Sequence, residues 1–446
     1  MKIIKYISIL LILIFTNCDK IEETNQISPE LELSNEITYF TYKPNSYIET
    51  SESDNWLVIH NQNGKLLDYQ AYEKDDILVF TALDTTLIAT ESLVITSLTL
   101  SQNNNSTINR LQTYTDIPIG MDWSFATHSD FEFNSAMDNL KSDYNNKKLE
   151  INSSKSKPYS ITVTNIPGVK KYNIYGEQRV VTANYNPIDS DEIILENIEL
   201  TPNNNYLYYI GDNEGSQKYI FFEVDETTDQ LVLDYNDYQN FTSTLETQLP
   251  ENSYLFSVSR GFETKSEFGN KFEMVVELDF NSPEMSRIGY IPGFDYYTTS
   301  FHLTMNSGYA YRYYEKSQLP LEQIRILEKP TFSVKNQTVY DFSFDTDISF
   351  IRSGSNWKYE ENFQDGSYVY TDWTVNTTNK KMHTVGKLPE EIIEKYSNLF
   401  LDKINLYSIS LEIQGRTYQS LLGNILDSSN DQPDILETIV LFPPDN

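Results

Sequence analysis

One cysteine, Cys18, stands in a chain of 446 residues, so an intrachain disulfide is excluded, and a site of several thiolates with it. Whatever holds this chain together is its core. Histidine is nearly as scarce: His60, His128, His302 and His383 lie far apart in four segments. A Ser-His-acid site needs only one of them, so this scarcity leaves a hydrolase open. His60, on the apolar side of a hairpin, reads as a core or edge histidine. Basic residues are outnumbered, 33 Lys and Arg against 65 Asp and Glu, for a net charge of −32. That balance opposes nucleic acid and flat anionic membranes as partners, and it favours solubility. Glycine-rich phosphate loops, the G-x-S-x-G elbow, H-E-x-x-H and EF-hand patterns do not occur, which removes the enzyme and cofactor classes those motifs serve. No catalytic residue is assigned, and whether the chain is an enzyme stays open at this point.

What is present begins with the first residues. Lys2 and Lys5 precede an Ile- and Leu-rich run that ends at Phe15, shorter than the roughly 20 residues of a membrane-spanning helix. A charged start and a short apolar centre describe a secretory signal, here residues 1–17. Phe15-Thr16-Asn17 lead into Cys18, and Asp19, Lys20, Glu22 and Glu23 follow. This stretch resembles the signal and acidic tether of surface-exported lipoproteins of Bacteroidota. The resemblance covers only the signal and the tether, residues 18–35. It implies that Cys18 is lipidated, that the partner of this end is a membrane, and that the protein is anchored in the outer membrane and exposed at the cell surface.

From "ITYFTY" onward, short runs of Ile, Val, Tyr, Phe and Thr alternate with Asn, Asp, Gly and Pro. This texture predicts a mainly β fold of tandem, Ig-like β-sandwich domains with one or two short helices. The expected units are a β-sandwich over 36–118, a second over 119–245, and a larger β region over 246–446. A helix is expected over 388–404, with Pro389 near its start and Leu388, Ile392, Tyr396 and Leu399 at helical spacing. A weaker helical pattern covers 129–144. Asn63-Gly64 predicts a two-residue hairpin turn with Gln62 opposite Lys65, placing Trp56, Val58 and His60 inward with Leu67, Tyr69 and Ala71. Asp365-Gly366 predicts another, with Gln364 opposite Ser367. That register gathers Trp357, Tyr359, Phe363, Tyr368 and Tyr370 on one face and puts Trp373 on the polar one, with Lys358, Glu360, Asn362, Val369 and Thr371. A third hairpin is expected around 212–215.

Two residue classes carry candidate chemistry. Asp345 and Asp347 in "DTD", and Asp234 and Asp237 in "DYND", suit calcium through oxygen ligands, although solvated acids explain them better and no cofactor is assigned. Aromatics suit carbohydrate, whose apolar C–H faces stack on flat rings. Trp373 and the strand face of Tyr309, Tyr311 and Tyr313 are the candidate ligand-binding residues, against the alternative that such faces form core. The leading expectation is a non-catalytic, lipid-anchored binding or accessory module for glycans. Two others stand beside it: a surface glycan hydrolase with a carboxylate pair, and a structural or adhesive component that contacts an envelope protein.

Overall fold

The computed structural model describes residues 35–44, 53–73, 76–87, 89–103, 105–123, 156–176, 179–184, 186–212, 216–247, 253–263, 272–276, 286–305, 308–427 and 433–443. Cys18, its signal and tether, and the helical pattern at 129–144 lie outside them. In chain order the first elements are β1 (Glu36–Tyr42), β2 (Ser53–Asn61), β3 (Leu66–Tyr72), β4 (Leu78–Leu83), α1 (Asp84–Leu87), β5 (Leu93–Gln102), β6 (Ser106–Ile117) and β7 (Met121–Trp123). Next come β8 (Lys157–Thr164), β9 (Val169–Gly176), β10 (Arg179–Asn184), β11 (Glu192–Leu200), β12 (Asn205–Asp212), β13 (Gln217–Glu223), β14 (Gln230–Asp234), β15 (Gln239–Asn240) and β16 (Ser243–Thr247). The last are β17 (Ser253–Glu263), β18 (Phe272–Val276), β19 (Ser286–Tyr290), β20 (Tyr296–Met305), β21 (Tyr309–Ser317), β22 (Phe332–Gln337), β23 (Asp341–Thr346), β24 (Arg352–Asn362), β25 (Tyr368–Thr377), β26 (Met382–Thr384), α2 (Glu390–Lys395), β27 (Asn405–Gln414), α3 (Tyr418–Asp427) and β28 (Ile435–Leu441). The fold is mainly β, as the turn-punctuated texture requires.

A twelve-stranded sheet in the order β18-β17-β20-β21-β28-β27-β24-β25-β6-β5-β2-β3 organises the molecule. One sheet thus runs through strands at 53–117 and at 253–441. The two groups meet where β25 pairs parallel with β6, Trp373 beside Leu111 and Val375 beside Thr113. Along one face lies the largest core cluster, including Trp56, Leu98, Phe301, Tyr311, Trp357, Trp373, Ile409 and Ile439. Phe342 and Phe344 of the small sheet β22-β23-β26 join it, with Ile392 of α2. Among the described residues, the opposite face is covered only at one end. There Leu57, Ile59, Ile95 and Tyr114 pack against Phe40 and Phe80 of the β4-β1-β7 sheet and against Leu421 and Leu422 of α3. Strand β2 is therefore buried on both faces, which the alternating pattern of a half-buried strand does not show.

Residues 157–240 form a two-sheet sandwich. Tyr159, Ile161 and Val163 alternate inward from the β11-β8-β14 sheet to meet Ile174, Tyr208 and Ile210 of the β10-β9-β12-β13-β15 sheet. The intervening Leu207 and Tyr209 of β12 point the other way and enter the core of the large sheet. Tyr175 of β9 and Tyr219 of β13 join them there, so strand period two lets one sheet of the sandwich serve both cores.

Both glycine hairpins form, but with three-residue loops. Asn61 N–H donates to Lys65 O and Phe363 N–H to Ser367 O, each closed by a glycine at positive φ, Gly64 at 77° and Gly366 at 84°. In the first, a bulge between Ile59 and His60 absorbs the difference, so Trp56 still faces Ala71 and Val58 faces Tyr69. In the second nothing absorbs it, and Trp357 faces Trp373 directly. A one-residue change in register exchanges the faces of one strand relative to the other. Trp373, Val369 and Thr371 therefore join Trp357 on the inner face, while Tyr368 and Tyr370 turn outward, correcting the faces expected from a two-residue turn. The hairpin at 205–223 forms around the expected position, Gly211 opposite Gln217. The helix expected over 388–404 is shorter. It covers Glu390–Lys395, passes into a 3-10 turn at Ser397–Leu399 and stops at Phe400, whose φ is 45°. Leu388, Ile392 and Leu399 are buried as their spacing predicts. The longest described helix is α3, ten residues, whose apolar run was not read as helical.

A candidate binding face on the twelve-stranded sheet

Of the aromatic residues singled out from sequence, most are core. Trp373, Tyr309 and Tyr311 are each 0% exposed. The Trp373 indole N–H donates to Thr113 Oγ1 at 2.8 Å, and Tyr309 donates to Leu327 O. Tyr311 donates to Glu437 Oε1 at 2.7 Å, and burial followed by that carboxylate pushes its pKa up. Tyr313 is half-buried beside it, its hydroxyl bonded to Glu315. None of the three buried residues offers a surface to a ligand, because the sheet needs this face to pack.

Three of the four motif acids are satisfied internally, and Asp237 is exposed. Asp345 pairs with Lys335 at 2.5 Å, and Asp347 accepts Thr331 N–H at 2.9 Å. Lys381, on the rim of the same cleft, donates to Thr346 O at 2.6 Å. That cleft, about 360 Å³ and walled by Phe332, has its polar groups turned on one another. Asp234 caps the turn after β14, accepting from Asn236 N–H and from Asn165 Nδ2. Among the described residues no three His, Cys, Asp or Glu side chains converge as a metal would need.

A different face has groups to spare. Beyond the end covered by β1, β4 and α3, the large sheet turns the alternate residues of β27, β24, β25 and β6 outward. No described element packs over them: Arg110, Glu360 and Tyr407 are exposed. Tyr368 and Tyr370 are stacked, ring planes within 8° and centroids 6.5 Å apart. In the row across the strands beside them, Lys358 faces Asp372, which faces Arg110. Tyr407 reaches this surface because β27 carries a bulge there: Ser408 pairs with Asn356 and Leu406 with Trp357, leaving Tyr407 the extra residue. Bulges of this kind re-aim a side chain. Tyr407 is 50% exposed, and the Lys358 ammonium lies 4.0 Å from its ring centroid.

The electrostatics sort the four charges into two kinds. Burial pushes the Asp372 carboxyl up, opposed by a hydrogen bond from Asn356 Nδ2 at 2.5 Å and by the charges of Lys358 and Arg110. Burial also pushes up the Tyr368 hydroxyl, and the charge of Glu360 adds to it. Both acids are thus engaged within the face. Arg110 and Lys358 have no ion-pair partner among the described residues. The chemistry available is stacking on three tyrosines plus donation from an ammonium and a guanidinium.

Sequence reading reached Tyr368 and Tyr370 but put them on the wrong side, and it missed Arg110, Lys358 and Tyr407 as a group. The bulge and the parallel pairing that gather them leave no local signal. No protein-family model matches this chain, and neither does any curated protein. Among solved structures, similarity extends over most of the chain but is weak. A calcium-stabilised, ice-binding adhesin of an Antarctic bacterium shares 7% identity over 92% of this chain and 99% of its own, with a TM-score of 0.11. A tetra-tandem repeat from the extending region of a large adhesion protein shares 10% over 85% and 96%, TM-score 0.12. Two B repeats of the collagen-binding protein of Staphylococcus aureus share 9% over 79% and 90%, TM-score 0.11. Scores this low establish no shared fold, and nothing about this chain's function rests on them.

Proposed function

We propose that this protein is a non-catalytic binding module, held at the cell surface by lipid on Cys18, whose ligand is a glycan. The observation that carries the reading is the outward face of β27, β24, β25 and β6. Parallel rings of Tyr368 and Tyr370 stand there with Tyr407 and hydrogen-bonding groups on a sheet face that no described element covers. Flat rings stack on the C–H faces of sugars, and neighbouring donors and acceptors fix the hydroxyls. An open sheet without walls suits the middle of a chain better than a single small molecule. The signal-like run before Cys18 and the acids after it support a lipid anchor there. Several acyl chains together provide stable attachment where one does not.

Two measurements test this. Cys18→Ser should move the protein from the membrane to the soluble fraction, and a full-length variant that stays with the membrane refutes the anchor. Pull-down on insoluble polysaccharides should retain the wild type and lose the Tyr368→Ala/Tyr370→Ala variant while its unfolding midpoint stays close to wild type. Undiminished retention of that variant refutes the face.

A further inference from the structure

Resting on the glycan reading, a narrower one concerns charge: we propose that the face of Tyr368, Tyr370 and Tyr407 takes an acidic polysaccharide, whose carboxylate or sulfate groups are held by Lys358 and Arg110. The argument is one of leftover hydrogen-bonding capacity. Asp372 accepts from Asn356 Nδ2, and Glu360 lies against Tyr368. The carboxylates of the face are therefore committed within it. The two cations act on Asp372 through their charge but make no hydrogen bond or ion pair among the described residues. Arg110 is exposed, and the Lys358 ammonium lies over the Tyr407 ring, 4.0 Å from its centroid. An ammonium and a guanidinium have donors and no acceptors, and the strongest further partner for the donors they have left is an anion.

Spacing favours a polymer over a single charged sugar. Lys358 on β24 and Arg110 on β6 flank Asp372 of β25 in one cross-strand row, so their backbones lie about 10 Å apart at the usual strand spacing. Two charges at that separation meet two acidic units of an extended chain laid across the strands. Tyr407 and the Tyr368–Tyr370 pair lie alongside for the intervening rings. The net charge of −32 does not decide against this. Charges further away than about 8 Å are largely screened at physiological ionic strength, so the local row outweighs the distant surface.

The test uses the full-length Cys18→Ser protein on three probes: polygalacturonate, dextran sulfate and a neutral β-glucan. Retention by at least one acidic probe and not by the glucan is expected, falling at least about tenfold from low to high salt, as charge-mediated binding does. Arg110→Ala/Lys358→Ala should lose about tenfold or more on that probe, roughly 1.4 kcal/mol, with an unchanged unfolding midpoint. Arg110→Lys/Lys358→Arg should recover most of it, since charge is retained. Equal retention on the neutral glucan, salt-independent binding, or full binding by the double alanine variant would overturn the acidic ligand while leaving the glycan reading intact. Retention by none of the three overturns the acidic ligand, and binding of other glycans that survives Tyr368→Ala/Tyr370→Ala sinks the broader reading separately.

Discussion

Trp357 and Trp373 face each other across β24 and β25, both 0% exposed. Each meets one aromatic edge-on, Phe342 at 5.4 Å for Trp357 and Tyr340 at 5.7 Å for Trp373. Each indole N–H has a hydroxyl partner, Ser355 Oγ and Thr113 Oγ1. Truncating either leaves a large cavity and an unmatched hydroxyl, so Trp357→Ala and Trp373→Ala should each cost on the order of 3–5 kcal/mol in chemical unfolding. A small loss at Trp373 alone would mean that the register is the one its two-residue turn predicted. His383 supplies a second test at this scale. Burial lowers its pKa from 6.5 to about 4, against a hydrogen bond from its ring to the Val339 backbone. Between those values the unfolded chain binds a proton that the folded one refuses. The contribution is complete above pH 6.5 and is lost as pH falls toward 4, the loss reaching about 2 kcal/mol at pH 5. Burial shifts His60 and His302 the same way. Unfolding midpoints at pH 7 and pH 5 should therefore differ less for His383→Gln than for the wild type, and equal differences would remove the assignment.

At the scale of elements, the hairpins show what a glycine reveals and what it hides. Asn63-Gly64 and Asp365-Gly366 locate both turns correctly, because a tight turn needs a residue that tolerates positive φ. They do not reveal the loop length, since the same dipeptide closes two- and three-residue loops. A Cβ on Gly366 meets nothing within 4 Å, whereas one on Gly64 meets Gly386 Cα at 3.3 Å. Gly366→Ala should thus cost only the backbone strain, about 1 kcal/mol, and Gly64→Ala more than that. Thermal midpoints in the reverse order would contradict the packing of the first turn against Gly386. Helical periodicity at 388–399 named the buried residues but overstated the helix, because contact with the core, and not a long run of backbone bonds, fixes Leu388, Ile392 and Leu399. The run in α3 is short and carries a glycine, so its period gave no comparable signal.

At the scale of the whole molecule, the parallel pairing of β25 with β6 is the decisive contact. Trp373, Val375 and Leu111 of these strands are core, and Asn109 Nδ2 donates to Thr371 Oγ1 and to Asn398 O. A chain consisting of residues 246–446 alone would leave β25 an open edge and Trp373 without its Thr113 partner. Such a fragment should aggregate or show no cooperative unfolding, whereas co-expression with residues 36–123 should restore a soluble complex. A stable, monomeric 246–446 fragment with a sharp transition would show that the sheet closes without β6.

Composition and local pattern by themselves determined that the chain is mainly β, where its sharp turns fall and which residues near α2 are buried. Each of these depends on neighbours a few residues apart: β-branched and aromatic runs, glycines at positive φ, helical spacing. The binding face was decided elsewhere. Tyr407 reaches it through a bulge, and Arg110 through strands some 260 residues apart. Tyr368 and Tyr370 turn outward only because one loop has three residues. Side-chain direction in a sheet alternates with period two, so a single residue of register, fixed by partners distant in the chain, decides whether an aromatic becomes core or surface.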